Sequence, residues 1–155
     1  MINSLKLVCV GDGGVGKTCF LKKLGNVFEE RYIPTESQCT TWMDVEYQGK
    51  KYSVLDTAGQ EKYRLPFEWN EADAFFVMFD LTNSLSYKST SWWIKKIKSN
   101  NSSARIVLVG TKCESISRRK DLRRQDVRVH EEYLIPYVEI SSKNNIALDE
   151  LLATL

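Results

Sequence analysis

The apolar run LKLVCV at 5–10 ends abruptly in GDGGVGKT at 11–18, and this junction restricts the fold more than any other feature of the chain. Four of the eight glycines fall within that short loop. Glycine loses more backbone entropy on folding than any other residue, so a cluster of this kind implies a backbone task that side chains would obstruct. Gly11-x-x-x-x-Gly16-Lys17-Thr18 fits the pattern GxxxxGK[ST]. In such a loop (Gly11, Asp12, Gly13, Gly14, Val15, Gly16) bare amide groups encircle an anion. A helix starting near Lys17 would aim its positive N-terminus at the same point. Lys17 adds a full charge for the β- and γ-phosphates of a nucleotide, and the Thr18 hydroxyl can ligate Mg²⁺. The context is the required one: strand before, helix after.

The rest of the chain repeats that alternation. Buried strands are predicted over Leu5–Val10, 74–80 (AFFVMFD), 105–110 and 137–140, from apolar runs of strand length. Residues 40–47 and 51–55 flank Gln48-Gly49 as a hairpin. Helices are predicted over 17–24, 86–99, 121–133 and 147–155, with a short one near 66–71. Residues 25–39 lack a period and contain Pro34, and read as loop. In the helix at 86–99, Trp93, Ile94 and Ile97 share one side. Strands alternating with helices imply an α/β domain: a mostly parallel six-stranded sheet with one antiparallel edge strand and helices on both faces. In such sheets ligands sit beyond the carboxyl ends of the strands.

Composition excludes other classes. A chain of 155 residues is the size of one domain, and 1–155 is read as a single one. The net charge of +2 is too small to imply nucleic acid. The basic run Arg118, Arg119, Lys120, Arg123 and Arg124 is expected to be a solvated helix start, with a docking patch for an acidic partner or a lipid as the alternative. The four cysteines form no CxxC pair and there is one histidine, which argues against zinc and for reduced, cytosolic thiols. His130 is read as a surface residue, and Cys19 as a packed helix residue rather than a redox-sensitive one. No secretory signal or membrane-spanning run is visible. The ending LDELLATL carries no cysteine for a lipid, so membrane association would need a further tail or a partner.

Two further loops follow strands. Asp56-Thr57-Ala58-Gly59-Gln60-Glu61 places an aspartate suited to a Mg²⁺-bound water. It also places a glycine N–H that can approach a γ-phosphate, and in Gln60 a donor and acceptor able to orient an attacking water. Tyr32-Ile33-Pro34-Thr35 offers a second hydroxyl to Mg²⁺ while a γ-phosphate is present. Two loops ordered by one phosphoryl group and released when it leaves constitute a switch.

Together, GDGGVGKT, the spacing Phe28-x3-Tyr32-x-Pro34-Thr35 and DTAGQE resemble a Ras-superfamily small GTPase, a P-loop NTPase with a G-domain fold, over nearly the whole chain. GQEKYR and DLTNSLSY lean towards Rab proteins, whereas GKTC, YIPT and VGTK look like Rho proteins. Leu55 stands where both have tryptophan before the aspartate. The resemblance implies a cytoplasmic switch that binds GTP and GDP with Mg²⁺. Lys17, Thr18 and Thr35 would serve phosphate and metal, with Asp56 behind them and the Cys19 segment lining the nucleotide. Gly13 would be kept bare for Gln60 and an incoming arginine, and Phe28 would pack edge-on against the base. Gln60, Lys17 and Gly59 would carry catalysis. Exchange factors, GTPase-activating proteins and effectors would use the two switch loops, with Trp42, Phe67 and Trp69 either core residues or an apolar contact surface.

Gly110-Thr111-Lys112-Cys113-Glu114 stands where the family has NKxD, and Ser141-Ser142-Lys143 where it has SAK. Glu114 replaces the aspartate that accepts from guanine N1–H and N2–H₂. It keeps the charge and both acceptors on a side chain one methylene longer. A misplaced bidentate pair costs on the order of 1–3 kcal/mol, so guanine is retained with weakened affinity as an expectation. The Ser142 N–H would meet guanine O6, and Lys143 and Lys112 would pack over the base. The alternatives are a non-cycling G-domain module that holds nucleotide for docking, and a P-loop small-molecule kinase, which would need an arginine-rich lid and an acceptor site.

Overall fold

The computed structural model describes residues 4–25, 43–57, 69–115, 117, 119 and 122–155, and the account below is confined to them. Six strands form one sheet: β1 (Leu5–Val10), β2 (Met43–Tyr47), β3 (Lys50–Asp56), β4 (Ala74–Asp80), β5 (Arg105–Thr111) and β6 (Tyr137–Glu139). Their order is β2-β3-β1-β4-β5-β6. β2 runs antiparallel to β3 and every other pair is parallel, as the sequence predicts. The chain passes from β1 to β3 on one side and later returns to β4 on the other. The sheet therefore reverses at β1, and the crevice beyond its carboxyl end opens at the glycine loop.

Period-two alternation divides the core between two faces. Leu7, Cys9, Val54, Phe76, Met78, Val107 and Val109 pack with Phe20, Leu21 and Leu24 of α1 (Lys17–Gly25) and with Leu148, Leu151 and Leu152 of α5 (Leu148–Ala153). Val8, Val10, Leu55, Phe75, Val77, Phe79 and Leu108 pack with Trp93, Ile94 and Ile97 of α3 (Thr90–Asn100) on the opposite face. All residues of β4 are buried, as an unbroken AFFVMFD run demands of a central parallel strand.

Three predicted elements differ from what forms. The helix expected at 86–99 is two helices, α2 (Ser84–Lys88) and α3, joined at Ser89. The Asn83 Oδ1 accepts from the Leu85 N–H at 3.0 Å and starts the first of them two residues early. The charged helix expected at 121–133 is a single 3-10 turn, Arg124–Asp126, and a short α4, Val129–Tyr133. The Asp126 carboxylate accepts from the Arg123 N–H at 3.1 Å, which favours a local turn over a continuing helix. Val127 then takes an extended backbone and buries its side chain in the core. Near 66–71 the described part is a 3-10 turn, Trp69–Glu71.

The basic run is not simply solvated. Arg119 forms a two-pronged pair with Glu139 of β6, both contacts at 2.9 Å, and its side chain is 11% exposed against 9% for the glutamate. Removing one partner of a nearly buried pair strands the other charge. Arg119→Ala is therefore expected to destabilise the protein by about 3 kcal/mol in urea unfolding, the lower end of the usual range because both groups keep some water contact. Arg119→Lys should recover only part of that loss, since an ammonium cannot form the fork.

Candidate functional site

The loop after β1 turns back because of Gly11. A Cβ there would lie 2.3 Å from the Met78 carbonyl oxygen of β4, and its φ is +148°. Only glycine fits where loop and strand backbones come so close. The Lys17 side chain, 2% exposed, returns across this loop, its ammonium donating to the carbonyl of Gly11 and, at 3.3 Å, to that of Asp12. The Asp12 carboxylate in turn accepts from the Ser89 hydroxyl at 2.6 Å, tying the loop to the joint between α2 and α3. Thr18 follows Lys17 on the first turn of α1, half-buried, while Cys19 is exposed rather than packed. The helix turns that position outward, because Phe20, Leu21 and Leu24 form its buried face.

The predicted base-recognition segment at Thr111-Lys112 reaches this loop. The Thr111 hydroxyl donates to the Val15 carbonyl at 2.5 Å, and its oxygen also lies 3.1 Å from that of Phe79. Lys112, at φ +64°, sends its ammonium to the Gly14 carbonyl at 3.2 Å and to the Asp80 carboxylate at 2.8 Å. The Cys113 N–H donates to the Ile140 carbonyl at 3.1 Å, which sets the TKCE segment beside the start of Ser141-Ser142-Lys143. Ser141 is fully buried, its backbone paired both ways with Ile146 and its hydroxyl accepting from the Asn144 N–H at 3.1 Å. Ser142 is half-buried and Lys143 exposed. Glu114 is half-buried, and its Oε2 is buried without a hydrogen-bond partner among the described residues. Unsatisfied buried carboxylate oxygens are costly, and no donor among the described residues meets this one.

Two residues that the sequence reading passed over matter here. Asp80 ends β4 at 6% exposure and fixes Lys112. Burial alone would raise its carboxyl, yet the Lys112 ammonium and the Thr82 hydroxyl and N–H outweigh it and hold it below the usual carboxylate range. A folded value below the unfolded one contributes stability in full above about pH 4, and that contribution is lost as pH falls through the folded value. Asp80→Asn is expected to cost about 1 kcal/mol near neutrality, modest because Lys112 is 41% exposed. It should flatten the acid limb of stability, measured by urea unfolding across pH 3–7. The second residue is Thr57, whose hydroxyl donates to the Cys9 carbonyl at 2.8 Å and pins the chain just after Asp56 to β1. Burial, with the charges of Glu114 and Glu139, pushes the Cys113 thiol up.

Phe28, Thr35, Gly59, Gln60, Trp42 and Phe67 lie outside the described residues, as does the side chain of Asp56. Trp69 is partly buried and stacks on Phe75 at 5.8 Å, the core reading rather than the contact-surface one. His130 is not a plain surface residue: its ring stacks on Tyr137 at 4.8 Å. Among the described residues, no three metal-ligating side chains of the His, Cys, Asp and Glu types cluster, and no helix is long and apolar enough to cross a membrane.

A glycine loop at the reversal point of a parallel sheet, with a lysine folded across it and the Thr111-Lys112 segment hydrogen-bonded to its carbonyls, defines a P-loop nucleotide-binding domain of the G-domain type. Comparison with known proteins narrows the class. The Ras family model matches residues 6–155. The chain is 34% identical to Ras-related protein Rab-13 of Rattus norvegicus, across 97% of this chain and 77% of that one. It is 31% identical to Ras-related protein Rab-10 and to Ras-related protein Rab-8 of Diplobatis ommata, over 97% of this chain and 78% and 74% of theirs. The chain belongs to the Ras family and is a Rab-like small GTPase, an enzyme of the class that hydrolyses GTP.

Proposed function

We propose that the protein is a guanine-nucleotide switch of membrane traffic, cytoplasmic and peripheral at membrane surfaces. It binds GTP and GDP at the glycine loop, hydrolyses GTP slowly, and presents its two switch segments to effectors, an exchange factor and a GTPase-activating protein. The observation that carries the base assignment is the buried, unpartnered Oε2 of Glu114, in a segment hydrogen-bonded to the phosphate loop through Thr111 and Lys112. Guanine N1–H and N2–H₂ are the donors that a carboxylate in this position lacks, and adenine would turn an acceptor edge towards it. In this reading Gly11, Asp12, Gly13, Gly14, Val15 and Gly16 surround the phosphates with Lys17. Lys112 and Lys143 flank the base, the Ser142 N–H meets O6, and Phe28 closes the edge.

The donor set fits magnesium: Thr18, Thr35 and Asp56 offer hard oxygens, and Thr57 anchors the chain beside Asp56. Those residues would hold the ion, which when bound draws charge from the β–γ phosphate oxygens. The likeness to Rab proteins speaks for a cycling switch, and nothing in it favours a module with weakened guanine affinity. Titration with GTP, GDP, XTP and ATP tests the reading. GDP and GTP should bind far more tightly than XTP or ATP. Glu114→Ala should weaken GDP about ten- to hundredfold while leaving ATP unchanged, the effect of removing one charged acceptor pair. ATP binding as tight as GDP binding would overturn the guanine assignment.

A further inference from the structure

The arginine-rich stretch is divided by the fold in a way that leaves a basic groove. Arg119 is committed to Glu139, and Arg123 to Asp126 at 3.2 Å. Arg124 and Arg128 instead line a groove of about 730 Å³ between the 3-10 turn, α4 and the start of β6. Its apolar wall includes Ile135, Pro136 and Tyr137, and Glu131 is its one acidic lining residue among the described residues. The Arg124 guanidinium lies over the Tyr137 ring at 5.9 Å and only 4.0 Å from Glu139, the outer limit of an ion pair. The Arg128 guanidinium donates to the Gln125 carbonyl at 3.4 Å, and no carboxylate pairs with it among the described residues. His130 lines the groove too, and its Nδ1 is buried without a hydrogen-bond partner among the described residues. Leu134, which follows α4 at φ +55°, is 91% exposed.

Basic heads above an apolar floor suit a ligand that carries carboxylates and apolar side chains together. We propose that this groove docks an acidic, extended peptide segment of a partner protein. Its carboxylates meet Arg124 and Arg128, and its apolar side chains lie against Ile135, Pro136 and Tyr137. The groove shares no residue with the nucleotide site. Charge complementarity decides the occupant: Arg128 has no carboxylate among the described residues and Arg124 only the distant Glu139, whereas an uncharged apolar helix would leave both heads unmatched.

The probe is a fluorescein-labelled peptide of alternating glutamate and leucine, measured by anisotropy against the GDP-loaded protein. A peptide with glutamine for glutamate serves as control, alongside vesicles of phosphatidylcholine with and without phosphatidylserine. The acidic peptide should bind saturably and weaken as salt rises. Arg124→Gln with Arg128→Gln should weaken it about tenfold, with GDP affinity unchanged as evidence of folding. Arg128→Gln alone, at an exposed position, gives a decisive loss of about threefold if the double variant fails to fold. Three results would each overturn the proposal: equal binding of the glutamine peptide, equal binding by a folded variant, or capture by anionic vesicles without peptide binding.

Discussion

Lys17→Ala is expected to weaken GTP binding by about two to four orders of magnitude. The side chain is 2% exposed and lies across the loop, anchored on the carbonyls of Gly11 and Asp12. In the proposed function the ammonium held there would meet the β- and γ-phosphate oxygens without having to be ordered first. A charge-assisted hydrogen bond contributes about 1.5–3 kcal/mol, so two of them amount to roughly 3–6 kcal/mol, and about 1.4 kcal/mol corresponds to tenfold in affinity. The fold should survive the change. Alanine removes a buried charge and is a good helix former at the start of α1. The nucleotide-free variant should therefore melt within a few degrees of the unaltered protein, while competition against a fluorescent GTP analogue reports the loss. An affinity within tenfold of the unaltered protein would mean that Lys17 is a structural clamp and that the phosphates lie elsewhere.

What could be read from residues alone follows a physical division. β1 and β4 form where predicted because LKLVCV and AFFVMFD are apolar enough for only a buried strand. The glycine loop was equally legible, since Gly11, Gly16 and Lys17 answer a backbone and charge requirement that few other arrangements share. The segment at 121–133 was not legible. A charged, weakly periodic stretch is compatible with a solvated helix or with capped turns, and the Asp126 carboxylate and the burial of Val127 settle the matter locally. Long-range partnerships were hidden as well. Nothing near Arg119 points to Glu139, and nothing near Asp80 points to Lys112. Both pairs exist because parallel pairing of β4 with β5, and of β5 with β6, brings distant strand ends together. The same geometry turns Thr111 from a plain departure from the family pattern into a brace for the phosphate loop.

The other large effect concerns turnover rather than binding. In the proposed reaction a water oxygen bonds to the γ-phosphorus as the bond to the β–γ bridging oxygen breaks, giving GDP and phosphate. Gln60 bears no charge, so its contribution lies in orientation: its amide carbonyl accepts from the water while its NH₂ group donates towards the transferring group. No arginine in the sequence is obviously placed to act in cis, so a partner is expected to supply one. In a relative for which magnitudes are established, the isolated rate is roughly 3–5 × 10⁻⁴ s⁻¹ and the partner's arginine accelerates it about 10⁵-fold. That arginine stabilises charge on the transferring phosphoryl group, which helps only when a water is aligned for attack, so without the glutamine amide most of the acceleration is lost. Gln60→Leu is therefore expected to lower activator-stimulated single-turnover hydrolysis by about 10³-fold or more, with GTP affinity unchanged. The contrast separates a switch from a module that merely holds nucleotide. A switch loses a large stimulated rate, whereas a holding module shows the same negligible rate with and without the substitution, even beside an activator.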